Sequence, residues 1–159
     1  MNFIFNIEQF QLENIHLFEK KKNVVIDGNF TKIIYSDDLI TMNGIYLNFP
    51  IEIQNNTKHY SNKNIHFYPY HMKNIQYIKA FCRIEEYIIN YYKIFYNIDK
   101  KNHLGLAKQL YSGFFKVYAD MDDSKRLSYN KYILKISGIW ENASDVGITY
   151  KLIEMYDIV

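Results

Sequence analysis

"ILKISGIWENASDVGITYKLIE", residues 133–154, alternates apolar and polar side chains on both sides of a polar break. Leu134 and Ile136 point one way, Lys135 and Ser137 the other; beyond the break Ile148, Tyr150 and Leu152 oppose Thr149 and Lys151. Period two on each side of "ENASD" (141–145) predicts two antiparallel strands, 131–140 and 146–155, joined as a hairpin. Centring the turn on Ser144 sets Lys135 opposite approximately residue 153 and Lys151 opposite approximately residue 137, a near-diagonal pair on one face. Trp140, the one tryptophan of the chain, shares the inward parity of Leu134 and Ile136 unless the strand bulges after Gly138.

Upstream, "FQLENIHLF" (10–18) is partly alternating and reads as a strand, with "EKKKN" (19–23) as a solvated turn. "VVIDGNFTKIIYS" (24–36) gives short strands around Asp27-Gly28 and carries Lys32. In "GIYLNFPIEI" (44–53), Ile45, Leu47 and Phe49 face away from Tyr46 and Asn48, and Pro50 ends, bulges or edges the strand. "QNNTKHYSNKN" (54–64) is polar and loop-like. The period then changes. Tyr77, Phe81, Ile84, Ile88, Tyr91 and Phe95 recur at helical spacing, predicting one helix over 74–97 with Asn74 as N-cap. "LGLAKQLYSG" (104–113) reads as a second, short helix closed by Gly113. In "FFKVYAD" (114–120), Phe115, Val117 and Ala119 oppose Lys116 and Tyr118.

About three strands, a long helix and about three more strands make a β-rich α+β chain. That order matches a small oligonucleotide-binding (OB) barrel, five strands with a helix between the third and fourth, and is shared by other α+β folds. The 159 residues suit one domain, 1–159, able to fold without disulfide or metal. No apolar run is long enough to span a membrane, the start lacks a secretory pattern, and the single Cys82 fits a reducing compartment.

Chemistry-bearing motifs are scarce. The five histidines lack metal spacing, and no phosphate loop or nucleophile elbow is present, so no enzyme, metal or cofactor is expected. "DMDD" (120–123) reads as the acidic tip of a connection, Lys20–Lys22 as a solvated turn, and Cys82 as a core thiol. A net charge of +2 is too small for a global field, so a basic surface must be local. Lys116, Lys135 and Lys151 oppose the apolar faces, either as a solvated sheet surface or as a groove tracking phosphates, with Tyr46 and Tyr118 interleaved for stacking. Trp140 is either a core aromatic or a platform for a base.

The hairpin, with Lys135, Trp140, Val146-Gly147 and Lys151, resembles the end of the single-stranded DNA-binding proteins of nucleocytoplasmic large DNA viruses, relatives of the OB-fold proteins of short-tailed phages. "DGNFTKIIYSDDLITMNGIYLNFPI" (27–51) is similar to an early block of that family. The resemblance implies sequence-nonspecific single-stranded DNA binding in replication, recombination or repair, without catalysis. It implies Lys32, Tyr46, Lys116, Tyr118, Lys135, Trp140 and Lys151 as nucleic-acid-binding residues. Partners would be single-stranded DNA, viral replication proteins and a second copy of the chain, in the host cytoplasm (viral factory) or nucleus, with no membrane. Many members end in a long acidic tail, whereas "EMYDIV" carries only Glu154 and Asp157, so tail-mediated regulation is not expected. The alternative is a structural or adaptor protein that uses an OB-like barrel for protein contacts.

Overall fold

The computed structural model describes residues 3–59, 62–119 and 131–155. Two single-turn 3-10 helices, Ile7–Gln9 and Leu12–Asn14, precede β1 (Ile15–Lys22), β2 (Asn29–Ser36), β3 (Thr41–Met42), β4 (Ile45–Asn48), β5 (Asn55–His59) and β6 (Asn62–His66). Then follow α1 (Ile75–Tyr96), β7 (Lys101–His103), α2 (Gly105–Ser112), β8 (Phe114–Ala119), β9 (Lys131–Glu141) and β10 (Asp145–Met155).

The β9–β10 hairpin is the spine, at eleven residues per strand. Each is too long to be matched by one short neighbour, so each shares its outer edge between two. Along β9, β4 pairs with Ile133–Ile136 and β2 with Gly138–Glu141. Along β10, β7 runs parallel to Asp145–Gly147 and β8 parallel to Leu152–Glu154. Hairpins β1–β2 and β5–β6 extend the sheet outward, giving the order β1-β2-β9-β10-β8-β6-β5.

The β-rich α+β class holds. The edge strands β1 and β5 do not pair, so the sheet is mixed and open rather than a closed five-stranded barrel. The long helix falls between the sixth and seventh strands, not the third and fourth. Three local expectations change with it. "EKKK" continues β1, because Lys20–Lys22 pair with Asn29–Thr31. The chain 23–28 is a loop, and pairing of β2 begins at Asn29. Within and just beyond the expected loop 54–64, residues 55–59 and 62–66 form a hairpin, held to the sheet by β6 against β8. "DMDD" and the connection 121–130 lie outside the described residues.

Helix α1 buries Ile78, Phe81, Ile84, Ile88, Ile89 and Tyr92. The apolar stripe matches the predicted one through its middle and drifts at its end, where Phe95 is exposed and Tyr92 takes the inward place. Phe81 stacks on Phe49 with ring centroids 5.5 Å apart, and Phe115 meets Phe49 edge-on at 5.8 Å. Much of the aromatic content is therefore core. Asn74 occupies the N-cap position without capping. It is buried and reaches sideways, accepting from the Glu52 backbone N–H at 2.8 Å and donating to the Tyr68 carbonyl at 3.0 Å.

Two buried carboxylates tie the layers together. Glu85 on α1 accepts the backbone N–H groups of Leu106 and Ala107 at 2.9 and 2.7 Å, serving the exposed donors at the start of α2. Burial pushes its carboxyl above the ordinary value despite these bonds. Glu141 ends β9 and accepts from Asn29 at 2.9 Å and Lys20 at 3.1 Å, with Lys100 at 3.7 Å. Burial would raise its carboxyl, but those hydrogen bonds and the two ammonium charges win and hold it below 4.5. Lys20 also lies 3.8 Å from the Tyr96 ring centroid, so it is no solvated turn residue. Gly113 closes α2 at φ 71°, the left-handed C-cap that glycine adopts without strain. Cys82 is half-buried against the core, and burial pushes its thiol up to about 11. Among the described residues no helix is long and apolar enough to cross a membrane.

Candidate nucleic-acid interface

The decisive local event is a β-bulge. Thr149 pairs with Gly138 and Tyr150 with Ile136, leaving Ser137 as an extra residue in β9. A bulge reverses side-chain parity along the strand that carries it. Before Ser137, Leu134 and Ile136 enter the core; after it, Ile139 does. Trp140 therefore leaves the inward parity and turns to the opposite face, where it is half-buried. The bulge also changes the lysine geometry. Lys135 stands directly opposite Lys151, not diagonal to it.

All seven predicted residues lie on this outer face, since each is offset by one from core-facing neighbours and the strand registers align them. One row crosses β4, β9 and β10 as Tyr46, Lys135, Lys151. The next crosses β2, β9 and β10 as Lys32, Gly138, Thr149. The third runs Phe30, Trp140, Gly147. On the other flank Asn48, Ile133, Ile153 and Tyr118 form a fourth row, its two isoleucines buried. Lys116 precedes Tyr118 by two residues on β8, on the far side of β10 from Lys32.

Among the described residues no acid pairs with these lysines. Ion pairs form instead at Lys20, Lys21, Lys63, Lys73 and Lys100, away from Lys32, Lys116, Lys135 and Lys151. Two of the four rest against aromatics instead. The Lys135 ammonium is 5.1 Å from the Tyr46 ring centroid and that of Lys116 is 5.5 Å from Tyr118. A face that alternates unpaired ammonium groups with ring faces suits a ligand that is a polyanion carrying flat aromatic groups.

Trp140 is set by glycine. Its indole lies over Gly147, where an added Cβ would come within 2.6 Å of the ring. His103 is 5.2 Å away, tilted by 60°. Phe30 lies over Gly138 in the same manner. Residues 23–28 approach this corner, and Val25 and Ile26 border an open cavity of about 500 Å³ with Phe30 and Trp140. Phe30 was open to sequence reasoning, because it shares the parity of Lys32; the loop residues were not, since nothing local states where a loop folds back. No group of histidines, cysteines and carboxylates suited to a metal ion occurs among the described residues.

No protein-family model, curated protein or solved structure matches the chain.

Proposed function

We propose that the protein binds single-stranded DNA without strong sequence preference, on an OB-like sheet surface, and acts without catalysis in replication, recombination or repair of a large DNA virus. The observation that carries the reading is the outer face itself: Lys32, Lys116, Lys135 and Lys151, without acidic partners among the described residues, interleaved with Tyr46, Tyr118 and Trp140. Phosphates would track the ammonium groups while bases stack on the rings, each worth roughly 1–3 kcal/mol. Lys135 and Lys151 facing each other supports the same reading, because like charges directly opposite destabilise a sheet and a polyanion relieves them. The viral setting, contact with replication proteins and a place in the viral factory or nucleus come from the hairpin's resemblance. Titration of fluorescent oligo-dT at low and moderate salt tests the binding. Four neutralised phosphates give a slope of about −3 in log affinity against log salt. No saturable binding at either salt overturns the proposal.

A second reading, an adaptor role, draws on a different surface. Ile94 and Phe95 on α1 are 80% and 58% exposed, beside Tyr87 stacked on Tyr91. Exposed apolar and aromatic groups at one helix end are typical of protein contacts. Self-association insensitive to salt, lost in Phe95→Lys, would favour this reading.

A further inference from the structure

The cavity at Trp140 has features beyond those of a stacking surface. Its walls are apolar: Phe30 and Trp140 from adjacent strands, Val25 and Ile26 from the loop above them. Its volume, about 500 Å³, falls in the range of small-molecule sites. Gly138 and Gly147 let both rings lie against the sheet, since a Cβ at either would collide with them.

The polar rim has a definite sense. Asn23 and Asn142 both border the cavity. The Asn23 Oδ1 accepts the Val25 backbone N–H at 2.9 Å. The Asn142 Oδ1 accepts those of Ser144 and Asp145 at 2.9 and 2.7 Å. A backbone N–H can only donate, so the amide oxygens are committed to the turns and each side chain has its NH₂ left to donate. The third polar group, Thr149, is exposed.

We infer that this cavity is a binding pocket for one nucleobase with carbonyl acceptors on its edge, a pyrimidine before adenine. The inference rests on the reading of the outer face as a nucleic-acid surface and adds a preference at one position to an otherwise sequence-independent track. A base stacked on Phe30 and Trp140 turns its edge to two amide donors. Thymine offers two carbonyl oxygens there and cytosine a carbonyl oxygen beside its N3 acceptor; adenine offers one ring-nitrogen acceptor beside its own amino group on either edge, which leaves one of the two donors unsatisfied. Lys32 follows Phe30 by two residues and Lys151 follows Thr149 by two, so ammonium groups flank the pocket on the side from which the strand would enter.

Trp140 is the one tryptophan, so its indole N–H gives a single resonance in a nitrogen-labelled sample. The whole chain is titrated with dTMP, dAMP, oligo-dT, oligo-dA and an abasic oligonucleotide of equal length. dTMP and oligo-dT are expected to shift that resonance, and the abasic strand to bind with the same salt slope while leaving it in place. Oligo-dT is expected to bind about tenfold more tightly than oligo-dA. The double variant Asn23→Asp, Asn142→Asp keeps the acceptors that hold both turns and removes the donors; its preference should fall to about one. Equal binding of the two homopolymers by the unmodified protein, a preference that survives in the variant, or an indole unmoved by dTMP each overturns the pocket. Those results leave the phosphate track standing if the abasic strand still binds. Should no oligonucleotide bind, the track fails, and the dTMP titration alone decides the pocket.

Discussion

Reversing one charge at the centre of the outer face should move stability and binding in opposite directions. Lys135 and Lys151 face each other across β9 and β10. Two unit charges about 6 Å apart in water interact by about 0.7 kcal/mol, which physiological salt cuts to about 0.3 kcal/mol. Lys151→Glu removes that repulsion and replaces it with an attraction of similar size, a gain of about 0.6 kcal/mol. For a chain of 159 residues this raises the melting temperature by about 2 °C. On the proposed function the same change removes a phosphate partner and adds a repulsive carboxylate, so oligo-dT binding should weaken and its salt slope should flatten by about one unit. Differential scanning calorimetry and fluorescence titration read the two effects on one sample. In high salt the stability gain should fade, because the effect is electrostatic. A lower melting temperature would mean that the two ammonium groups do not face each other, and the bulge at Ser137 would be misplaced. A higher melting temperature with unchanged binding would keep the register and remove Lys151 from the nucleic-acid surface.

The other predictions concern the parts that hold this face in position. Glu141→Ala strands Lys20 and Asn29 and should cost about 1.5–3 kcal/mol in urea unfolding. Because the Glu141 carboxyl is held below its ordinary value, its contribution is present above about pH 4.5 and is lost as pH falls through the lower folded value; the gap between the native protein and Glu141→Gln should close over that acid range. Glu85→Ala leaves the Leu106 and Ala107 N–H groups without an acceptor at the start of α2, with an expected loss of about 1–3 kcal/mol by the same measurement. Gly147→Ala places a methyl within 2.6 Å of the indole, so Trp140 should shift outward, seen as a red-shifted emission, with weaker oligo-dT binding and little change in far-ultraviolet dichroism.

What was legible in the sequence was whatever is written in a local period. The 3.6-residue recurrence marked α1 to within a residue at each end, and the two-residue alternation marked β8, β9 and β10. The same alternation set Tyr46, Lys116, Tyr118, Lys135 and Lys151 opposite the apolar residues beside them, since successive side chains of a strand point to opposite faces. The polar run 54–64 concealed a hairpin, because its pairing depends on β8, whose sequence lies some fifty residues away. The closed barrel was likewise beyond local reading. Which edges meet depends on how the short strands divide the long edges of β9 and β10, and here they leave β1 and β5 apart. Trp140 shows the limit most directly. "ISGIW" is compatible with either parity, and a single extra residue, Ser137, decides between core and surface. That residue is extra only because β10 and β2 together impose their registers on β9, and only the folded sheet supplies that constraint.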